Sequence, residues 1–124
     1  MASRRVLSVG QCFADHSAIS RTLQTQFGVE VVPADDAAEA LARLREDAFD
    51  LVLVNRVLDR DGSQGLELIK EMKAEQETAQ VPVMLVSNYE DSQQQAVSAG
   101  AVPGFGKSAL GRPQMLGRVK SYLS

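Results

Sequence analysis

Few residues in this chain could do chemistry. The most suggestive are polar side chains that directly follow apolar runs. Asn55 ends Leu51-Val52-Leu53-Val54, and Ser87 ends Val83-Met84-Leu85-Val86. Lys107 follows the glycine-punctuated stretch Ala101 to Gly106. Cys12 and His16, one helical turn apart, have the spacing of a nucleophile–base pair; the plainer reading is a small packed thiol and an exposed histidine. Asp59 and Asp61 could recruit a cation or a phosphoryl group, or form a solvated turn before Gly62. Ser87 precedes Glu90 by three residues, which is also capping-box spacing. One cysteine and one histidine cannot build an ordinary zinc site. Gly10-Gln11-Cys12 holds a lone glycine, so no phosphate-cradling loop is present.

The elements that position these residues alternate. Short apolar runs at Val6–Val9, Val29–Val32, Leu51–Val54 and Val81–Val86 are each followed by a segment with helical periodicity. Ile19, Leu23 and Phe27 share a stripe bounded by Asp15 as N-cap and Gly28 as C′ residue. Ala37, Leu41, Leu44 and Ala48 form a second, with Asp36 and Glu39 at capping-box spacing. Leu66, Ile69 and Met72 form the inward side of a third, and Glu90–Ala99 is a polar fourth helix ending at Gly100. Ala101–Gly106 reads as a poor fifth strand, broken by Pro103. Pro113 opens a last helix with Met115, Leu116, Val119, Tyr122 and Leu123 inward.

Strands apolar on both faces, alternating with amphipathic helices, predict a parallel sheet covered on both sides, hence a doubly wound α/β fold. In such sheets ligands meet the carboxyl ends of the strands, which is where Asn55, Ser87 and Lys107 fall. The 124 residues make one domain, 1–124, with ordinary apolar (44%) and charged (23%) fractions. A net charge of −3 with scattered basic residues argues against nucleic acid. No apolar run approaches the ~20 residues of a membrane span. The single cysteine excludes an internal disulfide and suits a reducing cytoplasm.

Phe49-Asp50-Leu51-Val52-Leu53-Val54, Gly65-Leu66-Glu67-Leu68-Ile69, Pro82 to Ser87, and Ala99-Gly100-Ala101 up to Lys107 together resemble a bacterial response-regulator receiver domain over nearly the whole chain. The resemblance implies a flavodoxin-like (βα)5 three-layer sandwich with strand order 2-1-3-4-5. It also implies a site in which an aspartate after the third strand accepts a phosphoryl group from a kinase phosphohistidine. An acid pair after the first strand would hold Mg²⁺, and Ser87 and Lys107 would touch the phosphoryl oxygens.

This chain departs from that pattern. The acceptor position holds Asn55, which is either a structural cap or a switch that cannot be phosphorylated. The acid-pair positions fall on Gly10 and Gln11, or in a second register on Phe13 and Ala14. The loop from Asn55 to Gly65 is longer than usual, and the switch aromatic is Gly104.

The reading is a pseudo-receiver, not an enzyme, that needs no cofactor and binds Mg²⁺ weakly or not at all. It works through a protein partner (kinase, effector or another regulator), with weak self-association. The alternatives are a working receiver phosphorylated at Asp59 or Asp61, and a small-molecule module that binds flavin or nucleotide. With no acid on Gly10 or Gln11, Asn55→Asp alone should not restore phosphorylation, whereas adding Gly10→Asp and Gln11→Asp should help. Without an aspartate at 55, Lys107 is expected to meet a neutral amide oxygen. Gly104 is expected on an accessible face where a bulky charge or a tyrosine leaves the fold intact.

Overall fold

The computed structural model describes residues 4–124. Its elements are β1 (Arg5–Val9), α1 (Phe13–Phe27), β2 (Glu30–Ala34), α2 (Ala37–Glu46), β3 (Leu51–Asn55), α3 (Gly65–Ala74), β4 (Val83–Val86), α4 (Glu90–Ser98) and α5 (Pro113–Leu123). The strands are parallel in the order β2-β1-β3-β4, with Leu7 paired to Val32 and Val52, and Val54 to Leu85.

Strand side chains alternate between the two faces, so each apolar run fills two cores. Leu7, Val9, Val52, Val54, Val83 and Leu85 pack beneath α2 and α3. Val6, Leu51, Leu53, Met84 and Val86 pack with Ile19 and Leu23 of α1 and Met115, Val119 and Leu123 of α5. Helix ends follow local chemistry. Gly28 takes the left-handed conformation (φ 65°) and its N–H closes on the Gln24 carbonyl. Asp36 accepts from the Glu39 N–H at 2.8 Å, while Glu39 reaches back to the N–H of Asp35. Pro113 occupies the start of α5.

Four expectations need correction. Cys12, not Asp15, is the N-cap of α1; Asp15 lies inside the first turn. α2 ends at Glu46, so Ala48 lies outside it and is exposed. α3 buries Leu68 more deeply than Leu66. The fifth strand is reduced to a single parallel bridge, Val86 with Phe105.

The cause of this last change is local. Pro103 has no N–H to donate. One step on, the Gly104 N–H turns to the Gln93 side-chain oxygen (3.2 Å), while the Gln93 amide donates to the Leu85 carbonyl (2.9 Å). The Gln93 carboxamide thus stands where a direct ladder bond would run. Ladder-like bonds survive on either side, from Val102 to Val83 (2.9 Å) and from Ser87 to Phe105 (3.0 Å). Phe105 itself is core, as the strand alternation predicts.

Candidate functional site

The carboxyl ends of β1, β3 and β4 and the loop after Phe105 converge on one edge, bringing Gly10, Asn55, Ser87 and Lys107 together. Asn55 ends β3 half-buried, and its amide donates to two carbonyls, Gly10 (3.2 Å) and Val57 (2.8 Å). Its side-chain oxygen accepts from the Arg56 N–H at 3.1 Å. The carboxamide therefore ties the loop after β1 to the loop after β3. A carboxylate has no hydrogen to offer either carbonyl.

The longer loop after Asn55 explains the rest of this edge. Leu58, fully buried, folds back onto Gly10. The Asp59 N–H donates to the Gly10 carbonyl (2.9 Å), and the Leu58 N–H to Ser63 (2.8 Å). Gly10 has φ +72°, and a Cβ there would stand 2.3 Å from the Leu58 Cδ2 and 2.9 Å from its Cα. Gly10→Asp therefore cannot rebuild the acid pair. The polar reading of this loop missed Leu58, whose signal was an apolar residue beside the charged run Asp59-Arg60-Asp61.

The other half of the edge is polar and open. A cleft of about 320 Å³ runs between Asn55, Arg56, Ser87, Asn88, Tyr89 and Lys107. The Arg56 guanidinium lies 4.9 Å from the centroid of the exposed Tyr89 ring. Ser87 is buried, and its hydroxyl accepts from the Tyr89 N–H (3.1 Å), so it shapes a turn without forming a capping box with Glu90. Asn88 accepts from the N–H (3.2 Å) and hydroxyl (2.9 Å) of Ser108, pinning the loop after β4 to the loop after Phe105.

Lys107 does not meet a neutral amide. Its ammonium pairs with the Asp15 carboxylate at 2.6 Å. The Lys107 bond, helped by the Cys12 thiol and opposed by desolvation, holds Asp15 below the ordinary carboxylate range. The expected contact failed because Asp15 was read as a cap, whereas one turn of helix carries it toward Lys107. Cys12 lies beside Asp15, and the His16 backbone N–H simply continues the helix to the Cys12 carbonyl (2.8 Å).

Asp59 and Asp61 lie exposed, outside the cleft. Asp61 accepts from the N–H (2.9 Å) and hydroxyl (2.7 Å) of Ser63, which lowers its pKa. Phe13 and Ala14, the second register for the acid pair, are exposed on the first turn of α1. Gly104 is buried: a Cβ there would stand 2.2 Å from the Leu85 carbonyl oxygen, so neither a tyrosine nor a charge fits without displacing backbone.

A divalent cation of the receiver type needs several hard oxygens, chiefly carboxylates, in octahedral array. Here the Gly10 carbonyl already accepts from Asn55 and Asp59, Leu58 covers Gly10, and Asp15 is held by Lys107. Among the described residues no three His, Cys, Asp or Glu side chains cluster to hold a metal. These residues do not fit the ion.

Residues 13–117 match the response regulator receiver domain family. The transcriptional regulatory protein ZraR of Klebsiella oxytoca is 32% identical over 88 residues, which are 70% of this chain and 19% of that protein. The chain thus spans about a fifth of that relative's length. A CheY-like receiver domain protein from Methanospirillum hungatei superposes with a TM-score of 0.80 at 24% identity, covering 98% of this chain and 94% of that one. Chemotaxis regulator CheY4 of Vibrio cholerae gives 0.75 at 23%, covering 98% and 100%. NtrX from Brucella abortus gives 0.82 at 23%, covering 98% of this chain and 27% of that one. These structures share the fold, and no helix among the described residues is long and apolar enough to cross a membrane. With its residues matched from α1 into α5, this chain belongs to the response regulator receiver family and is a receiver domain of a two-component response regulator.

Proposed function

We propose that this receiver domain signals through protein contacts alone, without accepting a phosphoryl group at position 55 and without Mg²⁺. The observation that carries the reading is the Asn55 carboxamide, which donates to the carbonyls of Gly10 and Val57. In the receiver pattern this position supplies a charged nucleophile and a metal ligand. Here its side chain is a cross-link between two loops, and an amide is a poor nucleophile. The Leu58 contact on Gly10 supports the same reading from the metal side.

The surviving parts, Ser87 and Lys107, support a fixed arrangement of the site. Lys107 already has an internal anion, Asp15, in place of an incoming one. The domain is then held in one state, and its partner, a kinase, an effector or another regulator, reads that state. Phosphorylation at Asp61 is disfavoured because its carboxylate is held by Ser63 outside the cleft.

The test is incubation with acetyl phosphate and Mg²⁺, followed by intact mass and a melting curve. The mass should not rise, and Mg²⁺ should leave the melting temperature unchanged. A stoichiometric phosphoryl gain mapped to Asp59, Asp61 or any other residue overturns the proposal.

A further inference from the structure

Where the fifth strand fails, side chains take over the polar groups of the backbone. Gln93, half-buried on α4, uses every hydrogen-bonding group of its carboxamide. Its two N–H bonds go to the carbonyls of Leu85 (2.9 Å) and Ser87 (3.1 Å), and its oxygen accepts from the Gly104 N–H (3.2 Å). Gln94 and Gln95, next on the same helix, are exposed. The Gly104 carbonyl is held from the other helix, by the Arg118 guanidinium of α5. Both polar groups of residue 104 are thus bound by side chains, one from α4 and one from α5.

Two glycines make room for this. Phe105 points into the core, so Gly104 and Gly106 share the opposite side of the segment. A Cβ on Gly104 would overlap the Leu85 carbonyl oxygen and crowd the Gln93 oxygen at 3.1 Å. One on Gly106 would overlap the side-chain oxygen of Asn88, the group that accepts from the Ser108 N–H and hydroxyl. Each glycine therefore seats one carboxamide. The receiver pattern places its moving aromatic at position 104, where this chain has no side chain to move.

We propose that Gln93, Gly104 and Arg118 form a permanent clamp that fixes α4, the fifth segment and α5 in a single arrangement. The proposal rests on the reading of this domain as held in one state, and it names what holds that state away from the carboxyl edge. An aromatic ring can swing about its own side-chain bonds. A carboxamide with three partners leaves only by breaking three hydrogen bonds together. Leu85 and Gly104 are buried, so the groups it abandons would not meet water, and an unmet buried group is costly. Arg118 adds a hold on the far side of the same residue.

The test is amide hydrogen exchange and relaxation dispersion on the labelled full chain. In the wild type the Gly104 amide should be protected, and residues 101–106 should show no millisecond exchange. Gln93→Met fills similar space without the bonds. It should reduce Gly104 protection about tenfold and bring millisecond exchange to 101–106 and α4, while β1 and β3 stay protected. Arg118→Met should loosen the same residues by a smaller factor. Gln93→Glu separates a clamp from a filler of the same shape. Its carboxylate at neutral pH can accept from Gly104 but has no hydrogen for Leu85 or Ser87. Protonated, below its ordinary pKa of about 4.3, it can donate again. Gly104 protection in Gln93→Glu should therefore be low at neutral pH and recover in acid, whereas Gln93→Met stays low at both.

Three results overturn the clamp: millisecond exchange at 101–106 already present in the wild type, unchanged Gly104 protection in Gln93→Met, or wild-type protection of Gln93→Glu at neutral pH. None of them alters the phosphorylation result. A phosphoryl gain in the mass measurement removes the parent reading, while the exchange data report on the clamp independently.

Discussion

The two halves of the carboxyl edge have been treated differently. Around β1 and β3, where a receiver would concentrate negative charge, no carboxylate fills the site: its place is taken by the Gly10 backbone, the Asn55 amide and the Leu58 side chain. Around β4 and the segment after it, the charged and hydroxyl groups remain, with Lys107 paired to Asp15 and Ser87 folded into a turn. The first half is held by packing and neutral hydrogen bonds, which are insensitive to salt. The second half is held by a partly exposed ion pair, which is not. One half of a carboxyl edge can therefore be filled locally with neutral groups while the fold and the far side of the cleft stand.

The largest effect that would break this comparison comes from Gly10. A side chain there meets Leu58 at 2.3 Å on a backbone with φ +72°. The left-handed conformation costs about 1–2 kcal/mol and overpacking about 1–3 more. Gly10→Asp should therefore lose about 2–5 kcal/mol in urea unfolding, a large part of a small domain's stability. An unchanged midpoint would mean that Leu58 does not cover Gly10.

Leu58→Ala comes next, at about 3 kcal/mol, because a fully buried leucine leaves a cavity. The pair gives a sharper test than either change alone. Gly10→Ala should cost less in the Leu58→Ala background than in the wild type, since the clash is gone. Additive costs would place the strain in the backbone alone. Neither variant should bind Mg²⁺, because neither brings a carboxylate.

Asn55→Asp should cost about 2 kcal/mol. It removes the hydrogens that satisfied Gly10 and Val57 and sets a charge against their oxygens. Acetyl phosphate should still add no mass to it. A variant as stable as the wild type would show that the carboxamide is no cross-link.

Much of this architecture was legible in the residues. The apolar run at 51–54, the Asp36 cap, the Gly28 terminus and the Pro113 start are set by local propensity, and each is where periodicity and capping rules put it; the run expected at 81–86 is a strand only from Val83, with Pro82 left outside the ladder. The missing aspartate at 55 was equally plain. What escaped was decided by contacts far apart in sequence. Gln93 bonds to Leu85 and Gly104, and Leu58 reaches Gly10 across the sheet. No local pattern encodes either contact. Asp15 illustrates the conflict best: its type and place before an apolar stripe are those of a cap, but Cys12 starts the helix earlier and aims the carboxylate at Lys107.

The smallest effect tests the polar half through that pair. Asp15 and Lys107 are each more than a third exposed, so solvent discounts their attraction to about 0.5 kcal/mol. Because folding lowers the Asp15 pKa from its ordinary 3.8, the contribution is complete at neutral pH. It fades as acid protonates the folded carboxylate below that value. Asp15→Asn should thus trail the wild type slightly at neutral pH, converge with it in strong acid, and converge also in high salt. The neutral half predicts the opposite for Leu58→Ala, whose deficit should persist across the same pH and salt series. If the Asp15→Asn deficit instead ignored both salt and pH, the contact would be packing and not charge, and the contrast between the two halves would fail.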